Sequence, residues 1–260
     1  MYRRAFMYKM GGLGLIPAST SFSQAPMGRG ARFYVLDNYY LRNGSQVARM
    51  HDFLRSVAPV LKEIHAGPAI FLEALVAPHM PQIATIAGFQ SLQEWETARR
   101  KGSRHEAFLK ALRTLESGEE APYEHFSETL LEATDYSPEI AVPESPPATQ
   151  RIFELRVYHS PTFRQLRALH ERFAGPEIRI FNRVGVHPIL YTSGLTGQNL
   201  PNLTYLIPFE NLAAREKAWQ AFSADPEWVK VRRESIERSG QISSVMNISL
   251  YKAADYSPIR

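Results

Sequence analysis

Apolar and polar positions along the chain follow two periods, one typical of strands and one typical of helices. Short runs rich in aromatic and β-branched residues indicate strands, and an apolar residue at every third or fourth position indicates helices. In the first half the predicted elements are a strand at Phe33–Leu41, a helix at Ser45–His65, strands at Ala69–Val76 and Ile83–Phe89, a helix from Ser91 with a kink near Gly102, and a strand at Tyr123–Ala133.

The second half of the chain shows the same succession of patterns. Its predicted elements are a strand at Arg151–Tyr158, a helix at Pro161–Phe181 kinked near Gly175, strands at Ile189–Leu195 and Leu203–Pro208, a helix at Glu210–Arg238 broken at Pro226, and a strand at Ile242–Tyr251. Both halves therefore read βαββαβ, the ferredoxin-like split βαβ arrangement. The sequence predicts an α+β protein.

The two halves also share residues at a constant offset. The run Ala133–Pro138 reads ATDYSP, and Ala253–Pro258 reads AADYSP, 120 residues later. The same offset relates Pro68 to Pro188, Pro81 to Pro201 and Phe89 to Phe209, while an offset of 119 relates His51 to His170. A repeat of this length is a whole small domain rather than a solenoid unit.

This repeat predicts two domains, at residues 32–136 and 151–258, each close to the commonest domain size. The residues between them, 137–150, include four prolines and predict a stiff, extended linker. Two ferredoxin-like sheets each leave one face open, and burying these faces together would give a pseudo-dimeric α+β barrel. A side-by-side arrangement without a shared barrel is the alternative.

The first 25 residues read as an export signal rather than as part of the fold. Arg3, Arg4 and Lys9 precede a short, weakly apolar stretch, and small residues lead to a cleavage-like site ending at Ala25. The paired arginines are typical of a twin-arginine signal, which predicts a bacterial periplasmic or extracellular protein. A disordered basic N-terminus is the alternative, and the apolar stretch is too short to span a membrane.

Charge and cysteine content narrow the function classes. The chain has 30 Lys and Arg residues against 26 Asp and Glu residues, and the first 25 residues carry three of the positive ones, which leaves 27 against 26. A nucleic-acid-binding domain would keep a basic face, so we expect no nucleic-acid partner. The absence of Cys excludes thiol nucleophiles and Cys-ligated zinc, and no histidine spacing indicates a metal site.

Several motifs resemble the NIPSNAP family. They are Phe153–His159 (FELRVYH), the Leu206–Phe209 turn (LIPF), and the residues Arg215, Trp219, Phe222, Asp225 and Trp228 after it. The first half is a weaker copy, with YVLDNYYL at Tyr34–Leu41. The resemblance covers residues 32–136 and 150–258. It implies a dimeric α/β-barrel type of fold whose biochemical role is generally unassigned, and it offers no catalytic residues to carry over.

Candidate chemistry lies on the first strand of each half, because alternate residues of a strand face opposite sides. One face of the strand is apolar and consists of Phe153, Leu155 and Val157. We expect the helices to pack on this face. Glu154, Arg156 and Tyr158, with Asp37 and Tyr39 at equivalent places in the first half, are expected to line the barrel. Polar groups in an apolar cavity would make a small-molecule site. The alternative is that Glu154–Arg156 or Asp37–Arg156 pairs are structural ion pairs.

The repeat-equivalent histidines His51 and His170 are candidate acid–base groups or ligands, and a hydrogen bond from helix to sheet is the simpler interpretation of each. Trp95, Trp219 and Trp228 are expected in the core. No nucleophile-elbow, phosphate-loop or zinc-protease motif is present.

The leading hypothesis is thus a protein of unassigned activity that binds a small molecule or another protein. The competing hypotheses are an enzyme of cofactor-free oxygenase or isomerase type, a haem enzyme, and a purely structural homo-oligomer. No cofactor is predicted, so the haem enzyme is the less favoured of the two enzyme hypotheses. The enzyme hypotheses rest on analogy with related α+β barrels.

Overall fold

The structure, a computed structural model, describes residues 30–145 and 148–260. The predicted export signal at residues 1–25 lies outside this part of the chain. The first half has the expected order of elements: β1 (Phe33–Tyr40), α1 (Ser45–Ile64), β2 (Ala69–Val76), β3 (Gln82–Phe89), α2 (Leu92–Gly102), α3 (Glu106–Glu116) and β4 (His125–Ala133). The predicted kink near Gly102 is the boundary between α2 and α3.

The second half repeats that order with more breaks in its helices. Its elements are β5 (Ile152–His159), α4 (Phe163–Arg172), α5 (Ile178–Val184), β6 (Leu190–Gly194), β7 (Asn202–Phe209), α6 (Leu212–Ala224), α7 (Pro226–Ser239) and β8 (Val245–Ala253). A π-helical turn, Phe173–Glu177, joins α4 to α5, and its Gly175 has non-helical angles before Pro176. The predicted break at Pro226 is the boundary between α6 and α7, where Asp225 caps α7 and Pro226 is its first residue.

The eight strands form one closed antiparallel barrel in the order β1-β3-β2-β8-β5-β7-β6-β4. The last strand of each half pairs with the first strand of its own half and also with a strand of the other half: β4 pairs with β1 and, through Leu131 and Gly194, with β6, while β8 pairs with β5 and, through Ala253 and Leu72, with β2. The side-by-side alternative is therefore wrong, because the halves share a single sheet.

The barrel interior is packed by apolar side chains from all eight strands. Phe153, Leu155, Leu72 and Ile86 are among them, and each is at most 6% exposed. Burying a side chain of this size contributes about 1.5–3 kcal/mol. Outside the barrel, separate clusters form between the sheet and the helices, around Phe53 and Phe71 in the first half and around Phe173 and Phe181 in the second.

The segments that follow β4 and β8 cross to the opposite half and make equivalent contacts there. Ser137 accepts a hydrogen bond from the Tyr191 amide (3.0 Å), and Ser257 accepts one from the Phe71 amide (3.2 Å). Each partner amide lies 120 residues from its counterpart, as the two serines do. The repeated DYSP motif therefore fastens each half to the other.

The linker has no helix or strand between Pro138 and Ser145 or between residues 148 and 150, and Pro146 and Pro147 lie outside the described residues. Within the described ranges, none of the helices is long and apolar enough to cross a membrane.

Replacing Ser257 by Ala is expected to lower the free energy of unfolding by about 1–3 kcal/mol, because the Phe71 amide would be buried without a partner. Ser257 is 1% exposed and also donates to the Ile259 carbonyl (3.0 Å). Urea denaturation followed by circular dichroism measures the change. Ser137→Ala is the matched control: Ser137 is half-buried, so water can replace its hydroxyl and the loss should be smaller. Equal losses would contradict this account.

Candidate functional site

The two faces of β5 are the reverse of those predicted. Phe153 and Leu155 point into the barrel and join its apolar interior. Glu154 and Tyr158 lie on the outer face, where Glu154 contacts α6 and Tyr158 packs with the aromatic cluster beneath the helices. The prediction that Glu154, Arg156 and Tyr158 line the barrel is wrong. The physical reason is that both faces of a barrel strand are buried, so charged residues can lie under helices once they are paired.

In the first half, Asp37 and Tyr39 also lie on the outer face, contrary to prediction. Tyr39 packs against the cluster beneath α1 and α3 and lies edge-on to Tyr123. Asp37 receives a long hydrogen bond from Thr85 (3.4 Å), while its Oδ1 atom is buried without a partner among the described residues. Burial, reinforced by the nearby Glu128 carboxylate, raises the pKa of Asp37 to about 7.

Glu154 is the anchor of a buried charged cluster. It has no exposed side-chain surface, and it accepts hydrogen bonds from Arg156 Nε, Arg215 Nε and Trp219 Nε1, the last at 3.1 Å. Burying a carboxylate is costly unless charged partners and hydrogen bonds compensate it. The ion pair that the sequence offered between Glu154 and Arg156 therefore forms, whereas Asp37 is not in contact with Arg156.

Arg156 connects this cluster to an open cleft. Its guanidinium lies 3.7 Å from the ring centroid of Trp219 and donates to the Tyr158 hydroxyl at 2.7 Å. Arg combines a fixed charge with a planar face that stacks on aromatic rings. The carboxylate, the indole and the phenol hold the guanidinium in one orientation.

A second buried pair lies on the other side of the cleft. Arg172 at the end of α4 donates to Glu177 (2.7 Å) and to Ser235 (3.3 Å), and its guanidinium lies 4.9 Å from the ring of Trp228. Burial raises the pKa of Glu177, and the Arg172 charge opposes this rise. Glu177 ends the π-helical turn, and such turns are frequent at functional sites.

These groups enclose a cleft of about 430 Å³ between the outer face of the sheet and helices α4, α6 and α7, here called the guanidinium cleft. Its wall presents four guanidinium groups, and three carboxylates are in contact with them. The guanidinium groups belong to Arg156, Arg172, Arg215 and Arg232, and the carboxylates to Glu154, Glu177 and Glu216. Arg232 is exposed and has no ion pair within residues 30–145 and 148–260. The cleft therefore favours a small anion.

The two candidate histidines make equivalent contacts, each from the first helix of one half to the other half's DYSP tyrosine. His51 Nδ1 lies 3.0 Å from the Tyr256 hydroxyl, and its Nε2 lies 3.5 Å from Glu73. His170 Nδ1 lies 2.7 Å from the Tyr136 hydroxyl, and its Nε2 lies 3.0 Å from Ser193 Oγ. His170 makes the expected helix-to-sheet hydrogen bond through Ser193 of β6, whereas His51 reaches Glu73 of β2 only at ion-pair distance. Burial lowers the pKa of each ring.

Sequence reasoning missed the residues that complete the cleft. Arg215 and Trp219 are four apart on α6 and so share one helix face, a signal that was available once they were recognised as part of the family motif. The tryptophans predicted for the core are half-buried at the helix–sheet boundary. Arg172 and Glu177 gave no signal, because the π-helical turn that brings them together is not visible in an apolar pattern.

A scan of family models matches residues 153–258 to the NIPSNAP model. Comparison with curated proteins gives no significant match. A provisionally named monooxygenase from Fusobacterium nucleatum subsp. nucleatum is 6% identical with a TM-score of 0.57, over 87% of this chain and 94% of that one.

A provisionally named monooxygenase from Lactobacillus acidophilus is 10% identical with a TM-score of 0.52, over 85% of this chain and 93% of that one. An anthrone oxidase-like protein is 15% identical with a TM-score of 0.53, over 87% and 92%. Identities this low show a common α+β barrel fold alone.

Asp37→Asn is expected to stabilise the protein at pH 8 and to change it little at pH 4. The folded-state pKa of about 7 lies above the ordinary 3.8, so between these values the folded protein binds more protons than the unfolded chain. Its free energy of unfolding therefore falls as pH rises through this range. At about 1.4 kcal/mol per pKa unit, the gain from Asn at pH 8 is at most about 4 kcal/mol.

Urea denaturation at pH 4 and pH 8 measures this difference. Asp52→Asn is the control, because the Asp52 side chain is 78% exposed and its replacement should change stability by less than about 0.5 kcal/mol at either pH. A gain for Asp37→Asn that is the same at both pH values would contradict the assignment.

Proposed function

We propose that this chain, whose residues 153–258 match the NIPSNAP family model, binds a small anionic molecule in the guanidinium cleft of that domain. The observation that carries the proposal is the excess of guanidinium over carboxylate groups in a cleft of about 430 Å³ with aromatic walls. Ligand sites are commonly of this size, with an apolar lining and a few fixed polar groups.

The ion-paired and the unpaired arginines of the cleft have different roles. Glu154 and Glu177 hold Arg156, Arg215 and Arg172 in position. Ligand binding therefore costs less side-chain conformational entropy. Arg232 lies at the rim without a carboxylate partner in the described part of the chain. We therefore assign the first charge contact with the ligand to Arg232, while Trp219 and Trp228 supply flat apolar surface for its remainder.

The barrel interior is not the proposed site, although the sequence favoured it. Side chains from every strand pack together there. Haem also fits the candidate residues poorly, because no histidine lines the guanidinium cleft and both ring nitrogens of His170 contact hydroxyl groups. The enzyme alternative would use the same cleft. Glu177 favours it, because a carboxyl group of raised pKa is suited to acid–base catalysis.

We further propose that the halves are tandem copies of one ferredoxin-like domain, residues 32–136 and 151–258, forming a pseudo-dimer. The repeated order of elements and the contacts related by 120 residues support this. Export remains a proposal based on residues 1–25, and it predicts that Arg3→Lys with Arg4→Lys retains the protein inside the cell in a fractionation experiment.

Titration of the purified chain with benzoate, citrate and inorganic phosphate, followed by tryptophan fluorescence, tests the binding proposal. We expect at least one anion to change the emission saturably, because Trp219 and Trp228 line the cleft. Arg232→Met should lower the affinity for that anion by about 10- to 100-fold, since a hydrogen bond to a charged group contributes about 1.5–3 kcal/mol.

The matched control is Arg99→Met in the first half, where the guanidinium lies 5.1 Å from Trp95 outside the cleft. It should leave the affinity unchanged. The assignment is refuted if none of the anions changes the emission saturably. It is also refuted if Arg232→Met and Arg99→Met lower the anion affinity equally. Chemical change of the bound anion, seen by NMR, would favour the enzyme alternative.

A further inference from the structure

A serine, a histidine and a tyrosine lie in line at the junction of the two halves, away from the guanidinium cleft. Ser193 belongs to β6, His170 to α4, and Tyr136 to the segment that crosses over after β4. His170 Nε2 lies 3.0 Å from Ser193 Oγ, and Nδ1 lies 2.7 Å from the Tyr136 hydroxyl. The imidazole thus connects an aliphatic hydroxyl to a phenol.

This arrangement suits the removal of a proton from Ser193. Burial lowers the pKa of His170, which favours the neutral form of its ring. When Nδ1 carries the proton and donates it to the Tyr136 oxygen, Nε2 is left to accept a hydrogen bond from Ser193. A nucleophile, a base within hydrogen-bond reach and a third group that orients the base are the structural features of an activated hydroxyl.

The three residues open onto a broad cleft of about 880 Å³, whose charged lining is Arg32 with the carboxylates of Glu132, Asp135, Glu139 and Glu171. Ser193 and His170 are half-buried, so a small molecule in the cleft can reach them. The Arg32 guanidinium is paired with Glu132 at 2.8 Å. Three further carboxylates lie around the cleft without a guanidinium in its lining, so the cleft is negatively charged and disfavours an anionic substrate, which is compatible with a neutral one.

The first half shows which of these contacts is structural. There His51 faces Tyr256, as His170 faces Tyr136, but the residue at the place of Ser193 is Glu73. The histidine–tyrosine contact occurs in both halves and fastens them together. The hydroxyl is present in the second site and absent from the first, so joining the halves does not account for it.

We propose that Ser193 is a nucleophile that His170 activates, with Tyr136 as a positioning residue, and that the substrate class is small neutral carboxylic esters. Ser193 Oγ bonds to the ester carbonyl carbon, and its proton passes to His170 Nε2. The bond to the alcohol oxygen then breaks, and the leaving alcohol takes the proton from Nε2. Water attacks the acyl-serine, gives a proton to Nε2, and releases the carboxylic acid as that proton returns to Ser193.

The test is labelling of the full chain with an alkyl fluorophosphonate, followed by intact mass measurement and peptide mapping. We expect a single adduct at Ser193 that is absent from Ser193→Ala. His170→Gln should lower the labelling rate by about 100-fold or more, because general base catalysis contributes about 10²–10⁴-fold. His51→Gln, the matched control in the first half, should leave the rate unchanged. Circular dichroism confirms that each variant is folded.

Tyr136→Phe separates positioning from mere packing. In the unsubstituted protein the labelling rate should rise with pH as His170 loses its proton. The charged residues that line the cleft around His170 are Arg32, Glu132, Asp135, Glu139 and Glu171. Without the phenol oxygen, Nδ1 loses its acceptor, and we expect a several-fold lower plateau with a shifted midpoint. A residue that only packs would leave this profile unchanged.

Release of nitrophenol from p-nitrophenyl acetate, dependent on Ser193, would support the complete reaction. The proposal is overturned if the mapped wild-type adduct lies elsewhere or does not form. It is equally overturned if Tyr136→Phe keeps the original pH profile, or if labelling occurs without ester turnover.

Discussion

Closure of one sheet by strand pairing across the two halves is the constraint on which the rest of this structure depends. A four-stranded sheet has two edges, and unpaired edges are unfavourable. Here β4 covers the edge of β6 and β8 covers the edge of β2, so each half completes the other. The chain leaving β4 and β8 then crosses to the opposite half. That crossing brings Tyr136 to His170 and Tyr256 to His51.

Closing the barrel also decides where charge can be placed. The interior receives apolar side chains from every strand. Polar groups of β5 therefore face the helices, where Arg215 and Trp219 on α6 can satisfy Glu154. The chemistry of the second half lies between sheet and helices because the helices can supply matching donors there.

The order and class of the elements could be predicted from the sequence, since the helical and strand periods were clear and the repeat checked each half against the other. Which face of each strand points into the barrel could not be predicted. Alternation of Phe153, Glu154 and Leu155 separates two faces, yet it does not say which one is interior when both are buried. The contact between His170 and Ser193 was equally inaccessible, because it depends on how α4 packs against β6. Asp37 gave no sign of its raised pKa, which comes from burial after folding.

Covalent joining of the two halves has a consequence for how such a protein can diversify. In a dimer of identical chains, every substitution appears at both symmetry-related sites. In this chain Asp37 stands where Arg156 stands in the other half, Glu73 where Ser193 stands, and Trp95 where Arg215 stands. Each half can thus acquire its own electrostatics while its counterpart retains the contacts that keep the barrel closed. One sheet can therefore carry two chemically unlike surfaces, one in each half.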